Sequence, residues 1–287
     1  MSMADLDLPP FETVATRVDH GGAVLQLTLA RPEVRNAMSL RMVTELRLAL
    51  AAAEEGGSVR VVVLRGAGGH FCSGGDIRDM AAARVAPAGD GDDAMANVNA
   101  QFGHLCAAFA RTPLALVAVL EGTVMGGGFG LACVADVALA GESVAFRLPE
   151  TSLGVVPAQI APYLVERIGY AQAKRLAVTG AKIGAQQALA IGLVHEVHAG
   201  AALDAALERV VGEILRCAPQ ALAQTKHLVA RARFKDPADL VDEAAIAFAR
   251  ALQGPEGVEG TMAFVQKRKP RWAMSAEFGG LSSTRDT

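Results

Sequence analysis

Val24 to Leu29 reads VLQLTL, alternating apolar and polar positions as a half-buried strand does, and Arg31-Pro32 ends it. Ser39 is placed to cap a helix running to about Glu55, with Gly56-Gly57 as its stop. Val59 to Leu64 (VRVVVL) is short and β-branched, which predicts a buried strand. A glycine-rich loop, GAGGHFCSGGDI (Gly66 to Ile77), then feeds a helix. Ala81 to Ala96, with Pro87 and the run GDGDD, reads as a loop. Helical spacing returns from Val98 to Ala110, and Leu114 to Leu120 is another buried strand. The stretch EGTVMGGGFGLACVAD (Glu121 to Asp136) follows, in which a strand runs into three glycines and a helix leaves them. Short strands are predicted at Ala135 to Ala140 and Val144 to Phe146, and a loop from Leu148 to Pro157. Helical patterning dominates from Ala158, interrupted by the strand-like GLVHEV (Gly192 to Val197). From Ala201 to about Ala263 the chain is nearly all helix, with breaks near Asp236-Pro237 and Gly254-Pro255. Ala276 to Thr287 is polar and reads as a frayed end. Strands alternate with helices first and helices stand alone afterwards. The expected organisation is an α/β body over residues 1–200 and a helical C-terminal region over 201–287.

Composition narrows the classes without naming one. Of 287 residues, 52% are apolar and 20% charged, and 27 basic against 30 acidic side chains leave a net charge of −3. That balance lacks the clustered basic face of a nucleic-acid binder. The longest apolar runs are broken well before the roughly 20 residues of a membrane span. Cys72, Cys106, Cys133 and Cys217 form no CxxC pair, and the first three lie in apolar surroundings. Met1 to Pro10 carries two aspartates and no basic residue, unlike a signal peptide. A reducing cytoplasm is the expected compartment.

The glycines raise the chemical question. Gly126-Gly127-Gly128 fails the dinucleotide fingerprint, because the third required glycine falls on Leu131. No phosphate-cradling G-x-x-x-x-G-K-[ST] occurs, and a nucleophile elbow at Ser73 would need glycine at Phe71. What remains is geometry. A helix that leaves a glycine turn presents free N–H groups and the positive end of its dipole. With no side chains in the way, a developing negative oxygen can approach. Ser73-Gly74-Gly75-Asp76 has the same form, so two junctions could each give one N–H to a single oxyanion. One such donor is worth about 3–4 kcal/mol in a transition state. The plainer alternative is that the glycines only permit tight strand–helix packing.

Several stretches together resemble the crotonase, or enoyl-CoA hydratase/isomerase, superfamily: LARPEVRNAM (29–38), GHFCSGGDI (69–77), EGTVMGGGFGLACVADVALA (121–140), FRLPETSLGVVP (146–157), GAKIGAQQALAIGLVHEV (180–197) and FVQKRKPRW (264–272). They stand in family order over most of the chain. The resemblance implies a spiral of ββα units with a helical C-terminal trimerisation region, assembled as a homotrimer or as a hexamer built as a dimer of trimers. It implies an acyl-CoA thioester substrate, with no metal and no redox cofactor. Carried over by position, the N–H groups of Gly75 and Gly127 are the oxyanion donors. Ser73, Gly75, Asp76 and Ile77 border the CoA adenine and pantetheine, and Val34 and Arg35 lie along the CoA chain. Phe264 and Lys267 resemble a C-terminal pair that reaches the CoA of an adjacent subunit. Arg268 and Lys269 read as ordinary surface charge.

The chain departs from the family at one catalytic position. Family hydratases use two glutamates around one water; Glu150 matches one, and Gly130 stands where the other is expected. A single carboxylate beside an acidified carbon still serves as general acid or base, and apolar walls would raise its pKa into the working range. Three outcomes fit: hydration by Glu150 alone, double-bond isomerisation, or a silent acyl-CoA-binding or scaffold protein. Pro157-Ala158-Gln159-Ile160 resembles the branch acting on glutaconyl-type CoA esters, the methylglutaconyl-CoA and isohexenylglutaconyl-CoA hydratases. There Arg147 and Gln159 flank the region where a second carboxylate of the substrate would lie, and Gln159 could also hold the water. Among the other polar residues, Glu121 is expected to cap a turn, His70 to be solvated, and His104 to lie on a helix face. His195 and His198, without carboxylates at ligand spacing, are not expected to bind metal.

Overall fold

The computed structural model describes Leu6 and residues 8–85 and 93–273. Its first compact unit is Met1–Arg209 and its second Val210–Thr287. In the first, β1 (Val14–Asp19), β2 (Val24–Leu29), β3 (Val61–Gly66), β4 (Ala115–Leu120), β6 (Val137–Gly141) and β9 (Glu196–His198) form one sheet in the order β1-β2-β3-β4-β6-β9. All neighbours are parallel except the edge pair β1–β2. Three further strands, β5 (Thr123–Met125), β7 (Ala145–Arg147) and β8 (Ile183–Gly184), make a second sheet in the order β5-β7-β8. Consecutive strands β4 and β5 therefore belong to different sheets, as do β6 and β7.

The helices follow from local signals. Helix α1 (Leu40–Gly56) starts where Ser39 accepts the Met42 N–H, and it stops at Gly57 in the left-handed conformation, as predicted. Helix α2 spans Ile77–Val85 and α3 spans Ala94–Arg111, the latter capped by Asp93 accepting from Met95 and Ala96. The loop expected over 81–96 is thus helix at both ends; residues 86–92 lie outside those described. Helix α4 (Gly127–Val134) is almost wholly buried. The rest of the unit holds α5 (Ala161–Thr179), α6 (Ala185–Ala190) and the start of α7 (Ala202–Leu215). β1 was not legible as a strand: of its six residues only Val14 is buried. Its start is pinned by Glu45 on α1, whose buried carboxylate accepts from the backbone of Glu12 and Thr13 and from the Thr13 hydroxyl. A continuous core of Leu25, Leu27, Leu46, Leu64, Phe109, Leu116 and Phe129 joins the large sheet to its helices.

The second unit adds α8 (Pro219–Ala232), α9 (Val241–Gln253) and α10 (Pro255–Val265). The breaks at Pro237 and Pro255 stand where predicted, and a further one at Ala218-Pro219 separates α7 from α8. The expected frayed end at 276–287 lies outside the described residues.

The first unit is thus the expected mixed α/β body, and the second is helical. What matters for the site is register. Cys72 bridges in parallel to Val124, and Val124 pairs in parallel with Phe146. Three successive chain passes thus run side by side in one direction. Counting onward from these aligned positions, Gly75 and Gly127 each lie three residues past, and Glu150 four. The topology delivers all three to the same end of the small sheet.

Candidate active site

The two glycine turns are laid against each other by backbone bonds. Cys72 N–H donates to Thr123 O at 3.0 Å and Met125 N–H to Cys72 O at 2.9 Å. Beyond that ladder the chains come closer still. A methyl on Gly126 would stand 3.4 Å from Gly74 Cα, and one on Gly74 would stand 3.5 Å from Met125 O. Both glycines also have positive φ, +106° at Gly74 and +48° at Gly126, where a side chain would be strained. Gly126 N–H is spent on Arg147 O at 3.2 Å. Among the described residues, no acceptor takes the N–H of Gly75 or of Gly127, the latter the first residue of α4. Uncommitted amides of this kind are the chemistry that can receive a developing negative oxygen.

Glu150 stands beside the second turn. A methyl on Gly126 would lie 3.1 Å from Glu150 Oε1, and Glu150 Oε2 is buried without a hydrogen-bond partner. Burial pushes its carboxyl above the usual carboxylate range; the opposing pull of its own backbone N–H is smaller. A buried carboxylate oxygen with no donor is costly as a permanent feature. It suits a group that holds a proton in transit.

The sequence model of the enoyl-CoA hydratase/isomerase family matches residues 19–275. The chain belongs to that family. An enoyl-CoA hydratase/isomerase from Marinobacter aquaeolei is 50% identical, covering 91% of this chain and 99% of its own, with a TM-score of 0.88. Pseudomonas aeruginosa AtuE is 52% identical over 91% of this chain and 100% of its own, with a TM-score of 0.87. The 2,3-dehydroadipyl-CoA hydratase of Escherichia coli strain K12 is 32% identical over 86% of this chain and 94% of its own.

The other expected site residues of this family member fall into groups. Val34, Arg35 and Ser73 come together: the Ser73 hydroxyl donates to Val34 O at 3.0 Å and its N–H to Arg35 O. Asp76 is buried and ion-paired to Arg31 at 2.8 Å, while it accepts the Arg78 N–H at the start of α2. Burial alone would raise the Asp76 carboxyl, but the Arg78 N–H and the Arg31 guanidinium reverse that and hold it below its ordinary value. Asp76 therefore latches its turn. Ile77 is exposed beside it. Arg147 Nε donates to Gly180 O at 2.9 Å, and Gln159 Nε2 donates to Asn99 Oδ1 at 2.9 Å. Phe264 is exposed on α10 and Lys267 has a left-handed φ of 53°; both lie in the second unit.

Three lesser expectations are corrected. His70 is not a solvated loop residue; its Nδ1 accepts the Thr123 N–H, tying the Gly66–Ile77 loop to β5. Glu121 pairs with Arg65 at 3.4 Å rather than capping a turn. His198 does have a carboxylate partner, Glu196 at 2.7 Å, which Arg209 also holds. Among the described residues no group of three or more His, Cys, Asp or Glu is arranged to hold a metal, and no helix is long and apolar enough to cross a membrane.

One wall residue was missed. A methyl on Gly127 would come within 3.3 Å of the Phe102 ring, and one on Gly130 within 3.2 Å of both that ring and Ile160 Cγ1. Phe102, Leu105, Cys106 and Phe109 read in sequence as the core stripe of a helix, and only the packing of α3 on α4 brings the first of them over the site. The position where a second glutamate would stand thus opens onto apolar groups. The third glycine of the triplet vindicates the plainer alternative: a methyl on Gly128 would meet Cys72 Cβ at 2.6 Å and Cys72 O at 2.8 Å.

Proposed function

We propose that this enoyl-CoA hydratase/isomerase family member adds water across an α,β-unsaturated acyl-CoA thioester. The N–H groups of Gly75 and Gly127 hold the thioester oxygen as it gains charge. That makes the α-carbon acidic and the β-carbon electrophilic. Glu150 directs the water to the β-carbon and manages the α-carbon proton, taking both tasks that a pair of glutamates would share. The observation that carries this reading is the buried, donor-free Glu150 oxygen of a carboxylate set against Gly126, together with Gly75 and Gly127 amides that no acceptor takes among the described residues. The hydratase names among the relatives support the direction of the reaction.

A second reading is favoured by the apolar surroundings of Gly130. With no polar group there to fix a water, Glu150 could instead carry a proton between carbons two and four and shift the double bond. The substrate of either reaction could bear a distal polar group, which the Gln159–Asn99 amide pair would meet. Assembly as a trimer or dimer of trimers, with Phe264 and Lys267 reaching a neighbouring subunit's CoA, remains part of the proposal. The exposed apolar side chains of Phe248, Phe264 and Val265 support it.

The deciding experiment is a turnover screen with crotonyl-, 3-methylglutaconyl- and isohexenylglutaconyl-CoA, run on wild type and on Glu150→Gln. Hydration removes the enoyl thioester's ultraviolet absorbance. Exchange of the α-proton with solvent, without net water addition, assigns isomerisation. Binding with neither signal assigns a silent acyl-CoA-binding protein, and undiminished turnover by Glu150→Gln removes that residue from the mechanism.

A further inference from the structure

The first turn of α4 has two unlike sides. Towards Gly126 stands the Glu150 carboxylate; towards Gly127 and Gly130, one helical turn apart on a common face, stands the Phe102 ring backed by Ile160. We propose that Phe102 is the specificity-determining residue of this site. Its ring takes the volume that a side chain on α4 would need and limits the size of the acyl substituent that can lie beside the Gly127 amide. The proposal rests on the reading of the site as an acyl-CoA thioester site.

The argument is steric. Gly127 cannot gain even a methyl without the ring giving way by a few tenths of an ångström, and Gly130 faces that ring and Ile160 at once. Ile160 is buried, whereas Phe102 is only partly so, which makes the ring the movable half of the wall. A thioester whose oxygen sits at the Gly75 and Gly127 amides lies against a helix turn that has Glu150 near Gly126 and this ring near Gly127. A slim chain fits; a bulky one collides with Phe102. The ring and Ile160 together crowd residue 130, and the ring is the part of that crowding that a substitution at residue 102 relieves.

Both consequences can be measured without turnover. Calorimetry with butyryl-CoA and 3-phenylpropionyl-CoA would compare wild type, Phe102→Ala and Phe102→Leu. The expected result is that wild type prefers the butyryl ester and that Phe102→Ala shifts the ratio of the two Kd values at least tenfold towards the phenylpropionyl ester, with Phe102→Leu between. Thermal melts of Gly130→Glu alone and with Phe102→Ala form the second arm; Gly130→Glu should lower Tm much less once the ring is gone. An unchanged Kd ratio in both Phe102 variants, or an equal Tm loss with and without the ring, overturns the proposal. Failure of wild type to bind either thioester overturns the site reading and this inference with it. Retained binding with unchanged preference overturns this inference alone.

Discussion

The two glycine turns, Ser73–Asp76 and Met125–Gly128, occupy equivalent places in successive chain passes and are held to opposite standards. The first leads into α2, where Ile77 is 79% exposed and Met80 46% exposed. It is fixed by a latch: Met38 N–H donates to Gly74 O, Asp76 N–H donates to Met38 O, and Arg31 holds the Asp76 carboxylate. The second leads into a helix buried in the core, whose far end is tied by Arg167 donating to Cys133 O and Ala135 O. One amide is thus carried by a turn at the rim and the other by a turn in the core. A carboxylate attends each, and their protonation is pushed in opposite directions, Asp76 towards the ionised form and Glu150 towards the neutral one. The difference teaches that two turns of like form can be supported unlike, one by a polar latch and the other by apolar packing.

The largest expected effect removes the carboxylate at the core turn. Glu150→Gln keeps the shape but cannot exchange a proton, and kcat should fall by about 10²- to 10⁴-fold, the usual range for a general acid–base group. Acyl-CoA binding should change little and Tm should not fall, because the buried oxygen has no donor to lose. A parallel loss of binding would show that Glu150 positions substrate rather than moving protons.

How much of this was legible follows the same divide. Ser39, Gly57 and the buried strands could be read because each signal is local: a cap, a stop, a β-branched run; Glu150 was singled out only by its place in a family motif. The pairing of the two turns was foreseen from their like form, but the reason they meet, the Cys72–Val124–Phe146 register, is a tertiary fact. β1 was missed because an edge strand with four exposed residues carries no hydrophobic alternation. Phe102 was missed because a site-facing aromatic and a core aromatic have the same helical spacing. Gly128 could not be told from Gly127 in the sequence, although Cys72 makes Gly128 a packing glycine while Gly127 faces the Phe102 ring.

That distinction gives the next test. A methyl at Gly128 would strike the backbone and Cβ of Cys72, a fully buried residue with nowhere to move, so Gly128→Ala should cost about 1–3 kcal/mol in denaturant unfolding. A methyl at Gly75 would meet only the end of the flexible Met80 side chain, and φ there is not positive. Gly75→Ala should therefore change stability by less than about 0.5 kcal/mol, as surface substitutions do. Equal losses in the two variants would erase the contrast between rim and core.

Asp76→Asn probes the latch itself. The amide still accepts the Arg78 N–H, but Arg31 keeps only its bond to Ala37 O. Unfolding free energy should fall by roughly 1.5–3 kcal/mol, the range for a hydrogen bond to a charged group. The Gly75 amide should shift with its turn, so kcat/KM should drop several-fold while Glu150 still titrates as in wild type. A variant as stable as wild type would mean that the Met38 backbone bonds alone hold the rim turn.

The smallest effect separates the carboxylates by pH. Asp76 has a folded pKa below its ordinary value of 3.8, so its contribution is complete above that value and is lost as pH falls through the folded pKa. Glu150 has a folded pKa above its ordinary value of 4.5, so the folded state binds the proton more tightly. Its contribution is complete below 4.5 and declines as pH rises through the folded pKa. Melting curves of wild type and Glu150→Gln should therefore diverge above pH 4.5, with wild type losing ground, whereas wild type and Asp76→Asn should converge below 3.8. The activity of wild type should rise over the same interval in which its stability relative to Glu150→Gln declines, because the ionised carboxylate that destabilises the fold is the form that accepts the proton. Activity that rises at a pH where the stability difference stays flat would assign the working base to another group.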